Sequence, residues 1–388
     1  MNPNSGSCRY HSILRFLNAF LWCLLPVYAS SQDSNVKGVR YTYDESDRVV
    51  AISYYGSTGL RESATKNNSH VERVEIVYGT TLTAEDVSFL SSLESVEELS
   101  MGQDLSDEFV KVEGSLASLA NLKRLEYLFL CKRNIRDADI AFVAQLPKIT
   151  YLELIGGPNP GYEKGPSITD ACAESIGRAK TLRGLRISGG TLTDQFVSII
   201  SRDLKDLERL DLGSALLTDR SLKVLAKTCK NLRVLNLHSN LLTNDGVRKL
   251  AVAENLETLT IRSTSLTRDC ERSIAGLISL RHLELTVPTM TDDAVKVIST
   301  LPSLETLALR ETRLTNEQFA MFANHPTLNS AFLNGGDLSE TNVLETIATI
   351  PKLDYLHVLE NEPVQRTVGR FLASRKSVSR DNKPEDAG

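Results

Sequence analysis

The sequence predicts an α/β repeat protein, and three observations carry that prediction. The composition is that of an ordinary folded chain, 388 residues with 24% charged and 41% hydrophobic, which sets aside disordered, collagenous and multi-span membrane classes. The pattern L-x-x-L-x-L recurs every 24 or 25 residues as Leu207/Leu210/Leu212, Leu232/Leu235/Leu237, Leu256/Leu259/Ile261, Leu280/Leu283/Leu285 and Leu304/Leu307/Leu309. A second constant element follows each copy, seen as Leu192-Thr193-Asp194, Leu217-Thr218-Asp219, Leu242-Thr243-Asn244, Leu266-Thr267-Arg268, Met290-Thr291-Asp292 and Leu314-Thr315-Asn316. The first pattern alternates as a half-buried strand does. In the second, Thr is a helix N-cap whose hydroxyl can accept from an orphan N–H of the next turn. Apolar spacing of three and four then follows, as in Val295, Ile298 and Leu301. Each repeat is therefore a short strand, a turn and a helix running back against it.

Taken from the N-terminus, Arg9 and Arg15 precede an apolar stretch from Phe16 to Leu25, and Pro26 to Ala29 give the small-residue pattern of a cleavage site. Residues 1–29 are expected to be a signal peptide, making the mature chain secreted or periplasmic. The stretch is shorter than the roughly 20 residues that a bilayer core requires, which disfavours an uncleaved anchor and stable membrane insertion after cleavage. The bulky Trp22 before Cys23 disfavours a lipoprotein. Removing residues 1–29 takes the charge from 44 − 49 = −5 to 42 − 49 = −7, without the basic excess that nucleic-acid binding requires. No nucleic-acid partner is expected.

Residues 30–70 are expected to close the first repeat, with Val39, Tyr41 and Tyr43 alternating before Val49 to Tyr55 around an acidic turn. Looser copies of the strand pattern run upstream from Val71/Val74/Ile76 and downstream to Leu353/Leu356/Val358, making twelve in all across residues 71–361. Val364, Val368, Phe371 and Leu372 share one helical face, so a capping helix is expected over 362–376, with a frayed tail at 377–388.

These residues resemble the leucine-rich-repeat family, and the L-T-D element with its period looks most like the ribonuclease-inhibitor-like and cysteine-containing branches, in an exported, bacterial-like form. Cys229 stands where other repeats carry a leucine, which suits the second comparison; its simplest role is a small core residue. The resemblance covers about three quarters of the chain. It implies an α/β leucine-rich-repeat solenoid, a horseshoe with a concave parallel sheet, convex helices and one continuous core.

No catalytic constellation stands out: G-x-S-x-G, a phosphate-cradling glycine loop, H-E-x-x-H and paired Cys-x-x-Cys are all missing from the sequence. No enzymatic activity, cofactor or metal is expected. His238 and His282 fall on outward strand positions near Asp211 and Glu284, which is too few ligands for a zinc site. The outward positions carry Arg73, Arg186, Arg209, Arg262 and Arg310 against Glu75, Glu98, Glu153, Asp211 and Glu284. Such a balanced face suits a protein partner, or a glycan, better than a polyanion. The step from Ile149 to Leu182 is longer than the rest and places a Gly/Pro-rich loop, Gly156 to Pro166, at the rim. A binding site is expected beside it, with Tyr127, Phe129 and Tyr151 as apolar anchors, Glu153 and Arg186 as charged partners and Tyr162 on the loop. Phe332, Tyr355 and His357 form the alternative at the other end. The extra residues around Lys111 to Leu116 are expected to lengthen the helical side. The functional expectation is non-enzymatic recognition or scaffolding through the concave face. The alternative is a substrate-receptor or secreted-effector role like that of F-box leucine-rich-repeat proteins, which requires a three-helix segment over 30–70.

Overall fold

The computed structural model describes residues 35–381 except 37, 56–59, 61–67, 78, 103–109, 133–134, 157–167, 214, 239–240, 263–270, 288 and 335–336. The expected signal peptide, the rim loop beyond Gly156 with its Tyr162, the 266–268 element and the tail beyond 381 lie outside the described residues.

Among the described residues, one 15-stranded sheet runs from end to end. It opens with β1 (Asn35–Val36), β2 (Val39–Tyr43) and β3 (Val49–Tyr54), paired antiparallel. From β3 onward the neighbours are parallel: β4 (Arg73–Ile76), β6 (Glu98–Met101), β8 (Tyr127–Cys131), β9 (Tyr151–Ile155), β10 (Gly184–Ser188), β11 (Arg209–Gly213) and β12 (Val234–His238). They continue as β13 (Thr258–Arg262), β14 (His282–Thr286), β15 (Thr306–Arg313), β16 (Ser330–Asn334) and β17 (Tyr355–Leu359). Two short strands, β5 (Thr81–Leu82) and β7 (Lys111–Val112), pair beside it. The chain is thus an α/β leucine-rich-repeat solenoid.

The register explains the core. Leu185, Leu210, Leu235, Leu259, Leu283 and Leu307 stand opposite one another in successive strands, and Ile187, Leu212, Leu237, Ile261, Leu285 and Leu309 form the next inward row. All are buried. Alternation along the strand sends the intervening residues to the opposite, concave face.

On the helical side Thr193, Thr218 and Thr243 each accept a hydrogen bond from the backbone N–H two residues on, opening the helices Asp194–Asp203, Asp219–Thr228 and Asn244–Lys249. The aspartate of the constant element does more than favour the helix dipole, because its carboxylate reaches into the next repeat. Asp137 accepts from the Thr169 N–H and hydroxyl at 2.9 and 2.7 Å. Asp170 does the same for Thr193 at 2.8 and 2.5 Å, Asp194 for Thr218 at 3.0 and 2.6 Å, and Asp219 for Thr243 at 2.8 and 2.6 Å. Four successive N-caps are therefore tied together by charge-assisted bonds, and Asn316 continues the role by accepting from the Ser339 N–H at 2.9 Å.

Three expectations change. Lys111 and Val112 do not extend the helical side; they form β7, with Lys111 N–H donating to the Thr80 carbonyl and Glu113 N–H to that of Leu82. Between β6 and β10 the returning segments include 3₁₀ turns, Ala117–Asn121, Asp137–Gln145 and Asp170–Cys172, rather than continuous α-helix. The last helix runs Glu362–Asp381, past the expected end at 376. It buries Val364, Val368 and Leu372 against the final strand, and the Gln365 side-chain oxygen accepts the Val358 N–H at 2.6 Å. A side chain thus occupies one donor of an otherwise open edge strand. Residues 38–55 are strand and turn, so the three-helix segment of the F-box comparison is not present among them.

Candidate functional site

The outward residues of the parallel strands form the concave face, and its middle, from β8 to β12, differs from its C-terminal end at β16 and β17 in how far the side chains are already satisfied. Toward β8 and β9, Tyr127 and Tyr151 share a register position and their rings stack at 5.4 Å with an interplanar angle of 7°. The position next in line is Gly184, and a Cβ there would lie 2.1 Å from Tyr151 Cδ2. The missing side chain gives the Tyr151 ring its bed.

The expected exposed patch is therefore closed. Phe129 is 6% and Tyr151 7% exposed, and Glu153 is buried. Burial pushes the Tyr151 phenol up to about 12, and burial followed by the Glu153 charge raises that of Tyr127 further. Alternation does aim these side chains outward, as the sequence requires, but they lie along the ladder against their neighbours instead of standing free.

The charges follow the same rule. Tyr127 OH donates to Glu153 Oε2 at 3.3 Å, and the other Glu153 oxygen pairs with Arg186. Arg186 Nε stands 3.8 Å from Asp211 Oδ2, and Asn236 Nδ2 donates to that same oxygen at 3.2 Å. Five consecutive strands thus carry one lateral polar chain. Of the expected site residues, Tyr127, Tyr151, Glu153 and Arg186 are brought together as a paired row, with Phe129 buried opposite Glu153 in register; Tyr162 lies outside the described residues.

Toward β16 and β17 the face is open. Phe332, Tyr355 and Leu359 are 38%, 47% and 44% exposed. Phe332 lies 5.2 Å from the Tyr355 ring and 6.1 Å from that of His357, while Tyr355 and His357 stack at 6.4 Å. Side chains of this size left in water forgo the free energy that burial of their apolar area would supply. Leu359 is the member that sequence reasoning missed; its signal is the outward position that Arg262 and Arg310 also hold, one step after the last inward residue.

Beside this cluster β15 departs from the regular ladder. Leu309 pairs with Leu333, but the next pair is Arg313 with Asn334. The intervening residues form a bulge in which Glu311 takes φ 62°, a left-handed conformation costly for a non-glycine residue. Bulges re-aim side chains. Arg313 reaches across to Glu360 at 3.7 Å, and Arg310 turns back to Glu284.

Among the described residues no group of three His, Cys, Asp or Glu side chains converges on a point. His238 and His282 are held below the ordinary imidazole value, chiefly by burial. Cys131, Cys172 and Cys229 are buried thiols, with burial raising those of Cys172 and Cys229. Among the described residues no helix is long and apolar enough to cross a membrane.

No protein-family model and no curated protein matches the chain. Among solved structures it is similar to an internalin from Listeria monocytogenes, at 21% identity over 74% of this chain and 80% of that one with a TM-score of 0.49. A leucine-rich-repeat protein of Leptospira interrogans is similar at 15% identity over 75% and 67% of the two chains, TM-score 0.46. A plant peptide hormone receptor is similar at 15% identity over 75% of this chain and 44% of its own, TM-score 0.41. The parallel register and the buried leucine rows make the fold of this chain a leucine-rich-repeat solenoid, whose open aromatic surface lies at β16 and β17.

Proposed function

We propose that the protein is an exported, non-enzymatic recognition or scaffolding protein that binds a protein partner at the C-terminal end of its concave face. The observation that supports this most is the contrast along that face: Tyr127, Tyr151, Glu153 and Arg186 are engaged with one another, whereas Phe332, Tyr355 and Leu359 present apolar area to solvent. Aromatic side chains bury much area at small entropic cost, which is why they dominate interface energetics. Export rests on Arg9, Arg15, the Phe16 to Leu25 stretch and Ala29. The ribonuclease-inhibitor-like and cysteine-containing subtype rests on the L-T-D element and Cys229.

The experiment is affinity purification of the mature protein from its native host, run in parallel with a Phe332→Ser, Tyr355→Ser variant and a Tyr127→Phe control. A protein retained by wild type and control but lost with the folded double variant supports the reading. Equal retention by all three moves the site elsewhere. Amino-terminal sequencing of the same material should begin at Ser30, and a soluble product beginning at Met1 would remove the export claim.

A further inference from the structure

Glu284 sits on β14 between two arginines. Arg262 Nε and a terminal guanidinium nitrogen both approach its Oε1 at 2.7 Å, and Arg310 Nε donates to that same oxygen. Burial alone would raise the Glu284 carboxyl, but hydrogen bonds from Arg262 and Arg310 more than offset it and hold the group below its ordinary value. The site therefore contains one carboxylate and two guanidiniums. Both arginines remain substantially solvent-exposed, and among the described residues each has Glu284 as its ion-pair partner. The result is a prearranged, locally cationic pair with unused N–H donors.

This pair adjoins the open aromatic surface. Arg310 is opposite Thr286, and two residues earlier on the same strand Ala308 is opposite Phe332. Ala308 is also opposite Glu284, so the outward residue between that carboxylate and Phe332 is a small one. Arg310 keeps the regular register with β14, and the bulge at Glu311 follows it on the β16 side, beyond which Arg313 engages Glu360.

From the convergence of Arg262 and Arg310 on one carboxylate two strands from Phe332, with Tyr355 and Leu359 on the strand beyond, we infer that this surface takes an extended polypeptide segment in which an acidic side chain stands about four residues from a large apolar one. This rests on the recognition reading above and names the chemistry of its partner. The carboxylate would bind the outward N–H groups of the two arginines, which planar guanidiniums suit better than ammonium groups would. The apolar side chain would lie on Phe332 and Tyr355. Spacing sets the register: Glu284, where both guanidiniums converge, lies on β14, two and three strand widths from Phe332 on β16 and Tyr355 on β17, roughly 10 and 15 Å, and side chains four residues apart in an extended segment are about 13 Å apart. Because Glu284 already fixes both arginines, little side-chain entropy remains to be lost on binding.

The test is an array of extended nonapeptides, each carrying one Asp or Glu four positions from a Leu, Phe or Trp, printed beside matched arrays with the acid changed to its amide or to lysine. Wild-type protein should bind the acidic array selectively, and Arg310→Gln should weaken that binding by about tenfold or more. Phe332→Ser should reduce it as well, and Arg233→Gln, at the strand-entry edge, should not. Arg310→Gln leaves Glu284 paired with Arg262, so the variant should remain folded, which circular dichroism and the unfolding midpoint check. Binding that ignores the acid but disappears with Phe332→Ser overturns this proposal and leaves the recognition reading standing. Acid-selective binding undisturbed by Arg310→Gln overturns the assignment to these arginines. An array that retains no peptide also overturns the proposal, and partner purification with the Phe332→Ser, Tyr355→Ser variant decides the broader reading separately.

Discussion

Asp194 shows how one residue couples neighbouring repeats. Burial would raise its carboxyl, yet hydrogen bonds from Ser221 and Thr218 hold it below the ordinary carboxylate value. The group is therefore more acidic folded than unfolded. Its stabilising contribution is complete above the unfolded carboxylate value and is lost as pH falls through the lower, folded one. Asp194→Ala should cost about 1.5 to 3 kcal/mol at neutral pH, the usual range for hydrogen bonds to a charged group. Urea midpoints measured for both proteins from pH 7 to pH 3 should converge on the acid side. A pH-independent gap would mean that the carboxylate charge is not what couples the two caps. The Thr N-cap could be read directly from the L-T-D element. The reach of the aspartate into the next repeat could not, because it depends on how closely successive turns stack.

At the scale of the strand, inward and outward rows were legible because their period is two, and a slip of one residue would have exposed the whole leucine set. What the pattern could not reveal is lateral packing among outward side chains. Tyr127 and Tyr151 share a register position, as their places in the repeat require, yet their accessibility is set by Gly184 one strand over, where the absence of a side chain lets the Tyr151 ring lie flat. A sequence period carries no information about such a vacancy. Gly184→Ala should displace the Tyr151 ring and cost about 1 to 3 kcal/mol, as overpacking does. Tyrosine fluorescence or near-ultraviolet dichroism should change with it, and an unaltered spectrum with unaltered stability would contradict the packing. The β15 bulge was likewise hidden: the step from Leu304 to Leu328 keeps the regular period, so nothing in the spacing announced the left-handed Glu311.

Over the whole molecule the leucine rows form a continuous core in which each repeat is covered by its neighbours, so stability is shared across interfaces rather than held in one centre. Leu235 lies fully buried in β12 with Leu210 and Leu259 on either side. Leu235→Ala should cost about 2 to 5 kcal/mol in chemical denaturation, the range for a buried leucine. A loss below about half a kcal/mol would be outside that range and would mean that the row is not core. The same continuity makes the concave face one long surface whose function is decided by where it is left unsatisfied. In the middle, the chain from Tyr127 through Glu153, Arg186 and Asp211 to Asn236 uses its polar groups internally. At the C-terminal end, Phe332, Tyr355 and Leu359 leave apolar area exposed.

Hydroxyl-radical footprinting of the free, folded protein, resolved residue by residue by mass spectrometry, tests that contrast most directly. Phe332, Tyr355 and Leu359 should oxidise rapidly, while Phe129 and Tyr151 should react far more slowly than an unfolded control. Rates for Phe129 and Tyr151 equal to or above those for Phe332 and Tyr355 would contradict the account and return the open surface to β8 and β9.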